Sequence, residues 1–236
     1  MSSSADALST ALSLVLGADP GLWAIVGLSL SVSLAAVTLA ALIGLPLGAL
    51  VALARFPGRG AVIVVLNAFM GLPPVVVGLV VYLSLSRAGP LGSWGLLFTP
   101  TAMVVAQTIL VLPIVAALAR QTVEDLRGEY GEQLRSLGVG TARAVPTLLW
   151  EGRFALATAC LAGFGRASAE VGAVMIVGGN IAGVTRTMTT AIALETSKGD
   201  LPLALALGIV LLAVIAGVNA VAAGVSAVGR RTAGVG

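Results

Sequence analysis

Two residues of opposite charge, Arg166 and Glu170, lie within an otherwise apolar stretch of the chain. Their spacing of four residues places them one turn apart on the same face of a helix, where an ion pair can form. Charges at membrane depth are costly, and they usually face a cavity or each other. We favour an intramembrane ion pair that stabilises the packed protein, with a role as substrate ligand as the alternative.

The sequence lacks the residues that most enzymes and metal sites require. It contains no histidine, and its lone cysteine, Cys160, has no second cysteine with which to form a disulfide or a zinc site. The segments GFGRAS and LGVGTAR lack the GxxxxGK[ST] frame of a phosphate-binding loop, so the chain is not expected to hydrolyse ATP alone. We therefore predict a protein that is not an enzyme and that holds neither a metal nor a cofactor.

The composition indicates a protein embedded in a lipid bilayer. Of the 236 residues, 58% are hydrophobic and only 10% are charged, and the mean hydropathy is +1.07. A soluble protein of this length would need a charged surface, whereas charge is concentrated here between residues 119 and 153. Although the isoelectric point is about 9.8, the arginines are spread over loops rather than along one stripe, so nucleic-acid binding is not expected.

Five apolar stretches are long enough to cross the hydrocarbon core, which takes about 20 residues. They are Leu22–Ala54, Ala61–Leu85, Leu96–Ala119, Phe154–Val177 and Leu201–Val228. The predicted fold is therefore all-α, that of a polytopic membrane protein with about five transmembrane helices. Glycine and proline interrupt the spans at Gly44–Gly48, Gly71–Pro74 and Val111–Pro113, where bends are expected because proline removes a helical hydrogen bond. Such bends serve either packing or the lining of a path.

Three regions follow one another along the chain. Residues 22–228 form the predicted membrane domain, in which residues 121–150 are a charged loop between spans. Residues 1–21 are either a tail or an interfacial helix. The interfacial helix is suggested by four apolar residues that share one helical face. They are Leu8, Leu12, Val15 and Leu16. Residues 229–236 form a short C-terminal tail.

The positively charged residues beside the spans predict the orientation, because loops rich in arginine and lysine tend to stay in the cytoplasm. With the N-terminus outside, the inner side receives Arg55, Arg59, Arg120, Arg127, Arg135, Arg143, Arg153, Arg230 and Arg231. The outer side receives Arg87, Arg186 and Lys198. The charged loop and the C-terminus are therefore predicted to be cytoplasmic.

The charged loop contains the pattern of an amphipathic helix. Its apolar residues are three or four positions apart and form one stripe. They are Val123, Leu126, Tyr130, Leu134 and Leu137. Gly138 is placed to end this helix in a left-handed conformation, and a second short helix is expected after it. The opposite face is mixed and rather acidic, which favours docking to a protein over adsorption to anionic lipid.

The segment EQLRSLG, Glu132–Gly138, resembles the EAA coupling motif of ATP-binding-cassette (ABC) importer permeases. Glu132 matches the glutamate of that motif, and Gln133 and Leu134 stand at its two alanine positions. Leu137 and Gly138 match the closing Leu-Gly, whereas LLWEGR replaces the Leu-Pro that usually follows. The resemblance implies that residues 121–150 are a coupling loop that docks a separate ATPase subunit. Its docking residues would be Tyr130, Glu132, Gln133, Leu134, Leu137 and Gly138.

A second stretch, Gly163–Asp200, is similar to the oxyanion branch of these permeases, especially the tungstate type, and Asn67–Gln107 looks like the same type. The pattern Gly-Asn-Ile-x-Gly-x-Thr-x-Thr, which molybdate permeases share, is present at Gly179, Asn180, Ile181, Gly183, Thr185 and Thr187. The resemblance to these permeases covers roughly Leu22–Val228. The similarity implies residues that line the substrate path or dock a binding protein: Asn180, Thr185, Arg186 and Thr187.

The resemblance implies the permease subunit of an ATP-driven importer of a tetrahedral oxyanion in a prokaryotic inner membrane. Tungstate is the first choice of cargo, with molybdate and sulfate as alternatives. The implied partners are an ABC ATPase, an extracytoplasmic substrate-binding protein and a second copy of the chain, since five spans are few for a path. A secondary anion transporter is the remoter alternative. Such proteins usually contain two inverted repeats within one chain, and five spans do not divide that way.

Overall fold

The structure is a computed structural model that describes residues 4–232. No strand occurs in this range, and the prediction of an all-α fold is confirmed. The helices are α1 Ser4–Leu16, α2 Pro20–Leu53, α3 Arg59–Phe69, α4 Pro74–Leu85, α5 Pro100–Ser136, α6 Thr141–Glu151, α7 Arg153–Ser168, α8 Gly172–Gly178, α9 Met188–Lys198 and α10 Leu201–Thr232. A short 3₁₀ turn, Gly92–Trp94, lies between α4 and α5.

Three helices are long and apolar enough to cross a membrane by themselves. They are α2, α5 and the Leu201–Val228 part of α10. Two pairs of helices qualify only when their members are taken together, because α3 and α4 are bent by 100° and α7 and α8 by 61°. By length and composition, the described residues thus contain three candidate spans, or up to five if each bent pair counts as one.

The bend expected at Gly71–Pro74 is confirmed, and it divides the predicted span Ala61–Leu85 into two helices. The α3 helix ends at Phe69, and α4 begins at Pro74 with the preceding Pro73 in an extended conformation. Two successive prolines lack the N–H groups that a continuing helix needs, whereas proline suits the first turn of a new one. The other two proline sites differ, because α2 and α5 continue through them.

A second break, between α7 and α8, was not expected from the sequence. The predicted span Phe154–Val177 contains no proline, yet α7 ends at Ser168 and α8 begins at Gly172. Polar side chains hold the intervening residues, as described below. Because these contacts come from residues distant in sequence, the local apolar pattern gives no sign of the break.

The amphipathic helix of the coupling loop is not a separate element, and in this respect the prediction is wrong. It is the last part of α5, which runs without interruption from Pro100 to Ser136. Gly128 and Gly131 weaken the helix but do not end it. Gly138 adopts φ +67° and ends it as predicted, and the Val139 N–H donates to the Leu134 carbonyl at 2.9 Å. The expected second helix is α6.

The two ends of the chain are helical within the described range. In α1, Leu8, Leu12 and Leu16 are exposed, whereas Ala7 and Ala11 are buried and Val15, the fourth residue of the predicted face, packs against the core. Ser4–Leu16 is thus helical, and its location at a membrane interface stays a prediction. At the other end α10 continues to Thr232, so residues 233–236 of the predicted tail lie outside the described residues.

The chain divides into two compact units. The first consists of the chain up to Ala36, of Pro73–Gln107 and of Arg166–Gly217. One of its cores joins α1, α2, α9 and α10 through Ala11, Leu22, Val26, Met188, Ala191, Ala206, Leu207 and Val210. In the same unit α4 packs closely on α8 at Gly78, where a Cβ atom would lie 2.8 Å from Ala173 Cα.

The second unit consists of Val37–Leu72, Thr108–Gly165 and the chain from Val218 onward. One of its cores joins α2, α5 and α6 through Ala49, Ala52, Leu53, Val123, Ala144 and Leu148. In this unit α2 lies so close to α5 at Gly48 that a Cβ atom there would be 2.3 Å from the Ala116 carbonyl oxygen. The coupling loop therefore rests on a tightly packed part of the chain.

Candidate functional site

Most residues in the apolar stripe of the coupling loop pack against other parts of the same chain. Val123 is fully buried, and Leu126, Tyr130 and Leu134 are half-buried against the core that α2, α5 and α6 share. Leu137 alone among the five stripe residues departs from this pattern, because 76% of its surface is exposed. The stripe thus holds the loop against its own protein and leaves one leucine free for contact elsewhere.

The six predicted ATPase-docking residues fall into two groups. Tyr130 and Leu134 belong to the packed stripe just described. The other four are exposed around the end of α5: Glu132, Gln133, Leu137 and Gly138. A partner protein would therefore meet a carboxylate, an amide, a leucine side chain and a glycine turn.

Two arginines cap the C-terminal end of α2. The last carbonyls of a helix have no partner within it and need donors from elsewhere. Arg59 donates from Nε to the Val51 carbonyl at 2.8 Å and from Nη2 to the Ala52 carbonyl at 3.3 Å. Arg127 donates from Nη1 to the carbonyls of Ala52 and Leu53, at 3.1 Å and 3.3 Å. The end of α2 is thereby tied to α3 and α5.

A carboxylate joins this cap to a third arginine. Glu124 forms ion pairs with Arg59 from α3 and with Arg120, which lies one turn earlier on α5. Sequence reasoning missed the network. In the sequence, only the spacing of four residues between Arg120 and Glu124 indicates part of this network. The positions of Arg59 and of the α2 carbonyls depend on the fold.

A cavity of about 220 Å³ lies beside the coupling loop. Three guanidinium groups and an apolar floor surround it, and none of its lining residues is acidic. The lining residues are Leu53, Arg55, Arg127, Gly131, Leu134, Arg135, Val139, Ala144 and Leu148. An acidic side chain with an aliphatic stem has the chemistry that suits such a cavity.

The threonines of residues 179–187, here called the threonine turn, hold the backbone of the turn itself. Thr185 is fully buried, and its Oγ1 accepts from the Ile181 N–H at 2.9 Å and donates to the Gly178 carbonyl at 2.6 Å. Thr187 precedes α9, and its hydroxyl oxygen lies 3.1 Å from Thr190 Oγ1, to which the Thr187 N–H also donates at 3.0 Å. Both predicted hydroxyls are therefore occupied within the chain.

The other two predicted residues of the threonine turn also have internal contacts. Asn180 adopts φ +51°, and its Nδ2 donates to the Thr190 carbonyl at 3.3 Å. Arg186 Nη1 lies 3.8 Å from Glu195 Oε1, which also pairs with Lys198 at 3.1 Å. The turn exposes instead residues 181–184, with Ile181 and Val184 as its large apolar side chains.

The structure brings Arg166 and Glu170 together at the break between α7 and α8. Arg166 Nη1 lies 2.7 Å from Glu170 Oε2, and the glutamate side chain is only 4% exposed whereas that of the arginine is 37% exposed. Glu170 Oε1 accepts from the Ala173 N–H at 3.1 Å, at the first turn of α8. The Thr189 hydroxyl donates to the Glu170 carbonyl at 2.7 Å. Glu170 thus forms an ion pair with Arg166 and also caps the N-terminus of α8.

Metal-ligating side chains are not clustered in the part of the chain that the structure describes. No group of three or more Cys, Asp or Glu residues lies there in an arrangement that could hold a metal ion. Cys160 is half-buried in α7 as a free thiol. The polar groups at the sites above are hydrogen-bond donors and ion pairs, which can bind and position an ion or a partner.

Bent apolar helices with a helical loop between two of them are the architecture expected of a membrane permease. No family model matches the chain, but several curated proteins do. A probable anion ABC transporter permease of Haloferax volcanii is 46% identical over 205 residues, 84% of this chain and 88% of the relative. The tungstate uptake system permease protein TupB of Peptoclostridium acidaminophilum is 41% identical over 217 residues, 92% of this chain and 95% of the relative.

A more distant relative is the molybdenum transport system permease protein ModB of Escherichia coli, 30% identical over 192 residues, 75% of this chain and 82% of the relative. The chain belongs to the family of ABC transporter permeases that includes the tungstate and molybdate uptake permeases. The resemblance inferred from the sequence is thereby confirmed, as is the prediction of a multi-pass membrane transport subunit rather than an enzyme. This family membership implies an ABC ATPase and a substrate-binding protein as partners.

Proposed function

We propose that the chain is the permease subunit of an ATP-driven tungstate importer. The observation that carries the proposal is the 41% identity to a tungstate uptake permease over 92% of the chain. The molybdenum permease is less similar, at 30% over 75% of the chain. Tungstate is therefore the first cargo to test, and molybdate and sulfate are its natural competitors because they share its tetrahedral shape and double charge.

The proposed orientation has the N-terminus outside and the coupling loop inside. Nine arginines then flank the spans on the cytoplasmic side against three positive residues on the outer side. The threonine turn lies outside in this arrangement, and the exposed end of α5 faces the cytoplasm. Each thus meets the compartment in which its proposed partner resides.

The exposed end of α5 is the proposed docking surface for the ATPase. Glu132, Gln133, Leu137 and Gly138 are exposed there, and the arginine-lined cavity lies beside them. A leucine surrounded by polar groups provides both apolar area and directional contacts, as interface centres usually do. The α2 cap formed by Arg59 and Arg127 would pass movement of this surface to the membrane part of the chain.

The threonine turn is proposed to dock the substrate-binding protein rather than to bind the oxyanion. The hydroxyls of Thr185 and Thr187 already have partners in the chain, so they are not free donors for an anion. The exposed apolar side chains of Ile181 and Val184 suit a protein partner better than a hydrated dianion.

Uptake of labelled tungstate by cells with and without this gene tests the proposed function. We expect uptake at nanomolar to micromolar tungstate to require the gene, and an excess of unlabelled molybdate or sulfate to compete poorly. The matched control is a cell that expresses Leu137→Asp, in which the exposed leucine of the proposed ATPase surface becomes a charge. Uptake that does not depend on the gene, or that molybdate abolishes at equal concentration, would reject tungstate as the cargo.

A further inference from the structure

Two buried polar side chains at the α7–α8 break have no hydrogen-bond partner for one of their atoms. Gln107 is 3% exposed and Ser168 is 7% exposed. The Nε2 of Gln107 donates to the Ala167 carbonyl at 3.0 Å, while its Oε1 is buried without a partner in the described part of the chain. The hydroxyl of Ser168 is buried in the same unpaired state.

The orientation of the Gln107 amide follows from its one contact. A carbonyl oxygen only accepts, so the amide nitrogen must face Ala167, and the amide oxygen must point away from it. Rotating the amide would leave the Ala167 carbonyl without this donor and would not find a partner for the oxygen. The unpaired oxygen is therefore a property of the packing in this conformation.

Buried polar atoms in folded proteins nearly always find a partner, because leaving them unpaired is unfavourable. Here two such atoms belong to the same break as the ion pair, because Gln107 donates to Ala167 and Ser168 ends α7, between Arg166 and Glu170 in the chain. Irregular backbone at membrane depth is tolerated where it is buried in protein or lines a water-filled cavity. At a helix break with unpaired polar groups, we therefore expect these groups to be buried in one conformation and to contact water in another.

We infer that Gln107 and Ser168 line a section of the oxyanion path that is closed in this conformation and opens during transport. This inference rests on the proposed function, because it takes a tetrahedral oxyanion as the ion that passes. When the section opens, water can reach the Gln107 oxygen, and the Ser168 hydroxyl can donate to water or to the oxyanion. Arg166, which is 37% exposed, supplies an attractive charge there that Glu170 partly neutralises.

Partial neutralisation gives such a section a useful property. A bare arginine would hold a dianion strongly, whereas a path must let the ion leave as readily as it enters. A hydroxyl and a compensated guanidinium form a weaker, transient contact. Ser168 and Gln107 would therefore affect how fast the ion passes rather than which ion is selected.

Thiol labelling of the full chain, purified with its ATPase in lipid nanodiscs, tests the inference. Replacing the lone cysteine by Cys160→Ala provides a background in which Ser168→Cys is the one cysteine of the permease, and its labelling is measured on the permease chain. The probe is an anionic, membrane-impermeant thiosulfonate. Labelling is measured by mass spectrometry at rest, and again with ATP and the binding protein present.

We expect labelling of Ser168→Cys to be slow at rest, to rise about tenfold during turnover, and to slow again when tungstate is in excess. Two matched variants bracket the result. Ser197→Cys, exposed near the C-terminal end of α9, should label in every state, and Ala206→Cys, fully buried in the α10 core, in none. Gln107→Cys serves as a second path position if Ser168→Cys does not fold.

Labelling of both path variants that stays as slow as that of Ala206→Cys during turnover would overturn the inference. Labelling that no oxyanion slows would overturn it as well. If molybdate or sulfate slows the labelling and tungstate does not, the path assignment stands and the proposed cargo is rejected. The assay thus separates failure of the inference from failure of the proposed function.

Discussion

Glu170 combines three tasks in one residue. Its Oε2 pairs with Arg166, its Oε1 caps the first turn of α8, and its backbone carbonyl accepts from Thr189. The cap requires an oxygen at Oε1, whereas the ion pair requires the negative charge. The variant Glu170→Gln keeps the shape and one oxygen and removes the charge, so it separates the two tasks.

In Glu170→Gln we expect three changes, because Arg166 would lose its compensating charge. The free energy of unfolding should fall by about 1–3 kcal/mol, as for a polar group that loses a charged partner in a buried place. Tungstate should bind the permease complex more tightly while uptake becomes slower. Thermal unfolding in detergent, equilibrium binding and cellular uptake measure these three effects.

The control is the double variant Arg166→Gln with Glu170→Gln. Removing both charges eliminates the unpaired arginine, so part of the lost stability should return and the tighter binding should disappear. If Glu170→Gln leaves stability, binding and uptake unchanged, both the stabilising role and the effect on the ion are refuted.

The spacing of Arg166 and Glu170 was enough to predict that they could pair, because i,i+4 contacts depend only on helix geometry. The roles of Thr185 and Asn180 could not be predicted in the same way. Their partners, the Gly178 and Thr190 carbonyls, are brought to them by a turn with positive φ at Gly179, Asn180 and Gly183. The motif was visible in the sequence, but the use of its hydroxyls depends on that backbone.

At the scale of elements, close helix packing depends on single glycines. A Cβ atom at Gly48 of α2 would lie 2.3 Å from the Ala116 carbonyl oxygen and 2.8 Å from Ala119 Cβ. We expect Gly48→Ala to lower the free energy of unfolding by about 2 kcal/mol or more, because α2 must move away from α5. Thermal unfolding of the purified permease measures the loss.

Gly27, in the same helix, is the matched control. Nothing lies within 4 Å of a Cβ atom built there. The variant Gly27→Ala should therefore be neutral or more stable by up to about 1 kcal/mol, since alanine is the better helix former. Equal losses in the two variants would show that glycine flexibility, and not close approach, matters in α2.

The stripe of the coupling loop offers a second comparison between like residues. Leu134→Ala should destabilise the permease by about 1 kcal/mol, because the side chain is half-buried against the core of α2, α5 and α6. Leu137→Ala should leave stability unchanged, because the side chain is 76% exposed. It should instead weaken binding of the ATPase about tenfold if it lies at the centre of the docking surface.

Thermal unfolding of the permease alone and binding of the purified ATPase to nanodiscs measure the two effects separately. The leucines are close in sequence and chemically identical, so general effects of truncation cancel. An unchanged ATPase affinity in Leu137→Ala would remove this residue from the docking surface. A loss of stability in Leu137→Ala equal to that in Leu134→Ala would show that both belong to the packed stripe.

How far the elements could be predicted depended on whether their determinants are local. The stretch of apolar residues predicted the long helices, and two adjacent prolines predicted the bend after Phe69. The continuity of α5 was missed because the change from apolar to charged residues looks like the end of a helix, although the backbone has no breaker there until Gly138. The α7–α8 break was missed because Gln107 and Thr189, which help to hold it, are far away in sequence.

At the scale of the whole molecule, one copy of the chain offers at most five spans in its described part, and two of these are broken. Helix surfaces that face neither the chain itself nor a partner would have to face lipid. The guanidinium of Arg166, whose side chain is 37% exposed at the α7–α8 break, would be unfavourable there. A path enclosed between two copies resolves this difficulty, because each copy supplies one wall and both broken spans can face the enclosed space.

We therefore expect the assembled transporter to contain two copies of this chain and two ATPase subunits. Each coupling loop would dock one ATPase, so closure of the two ATPases would act symmetrically on both copies. Native mass spectrometry of the complex purified through a tag on the ATPase gives the subunit ratio. As a control, co-expression with a differently tagged copy of the permease should recover both tags in one complex. One permease copy per pair of ATPases would contradict the two-fold arrangement, and would require the path to be enclosed by a single chain.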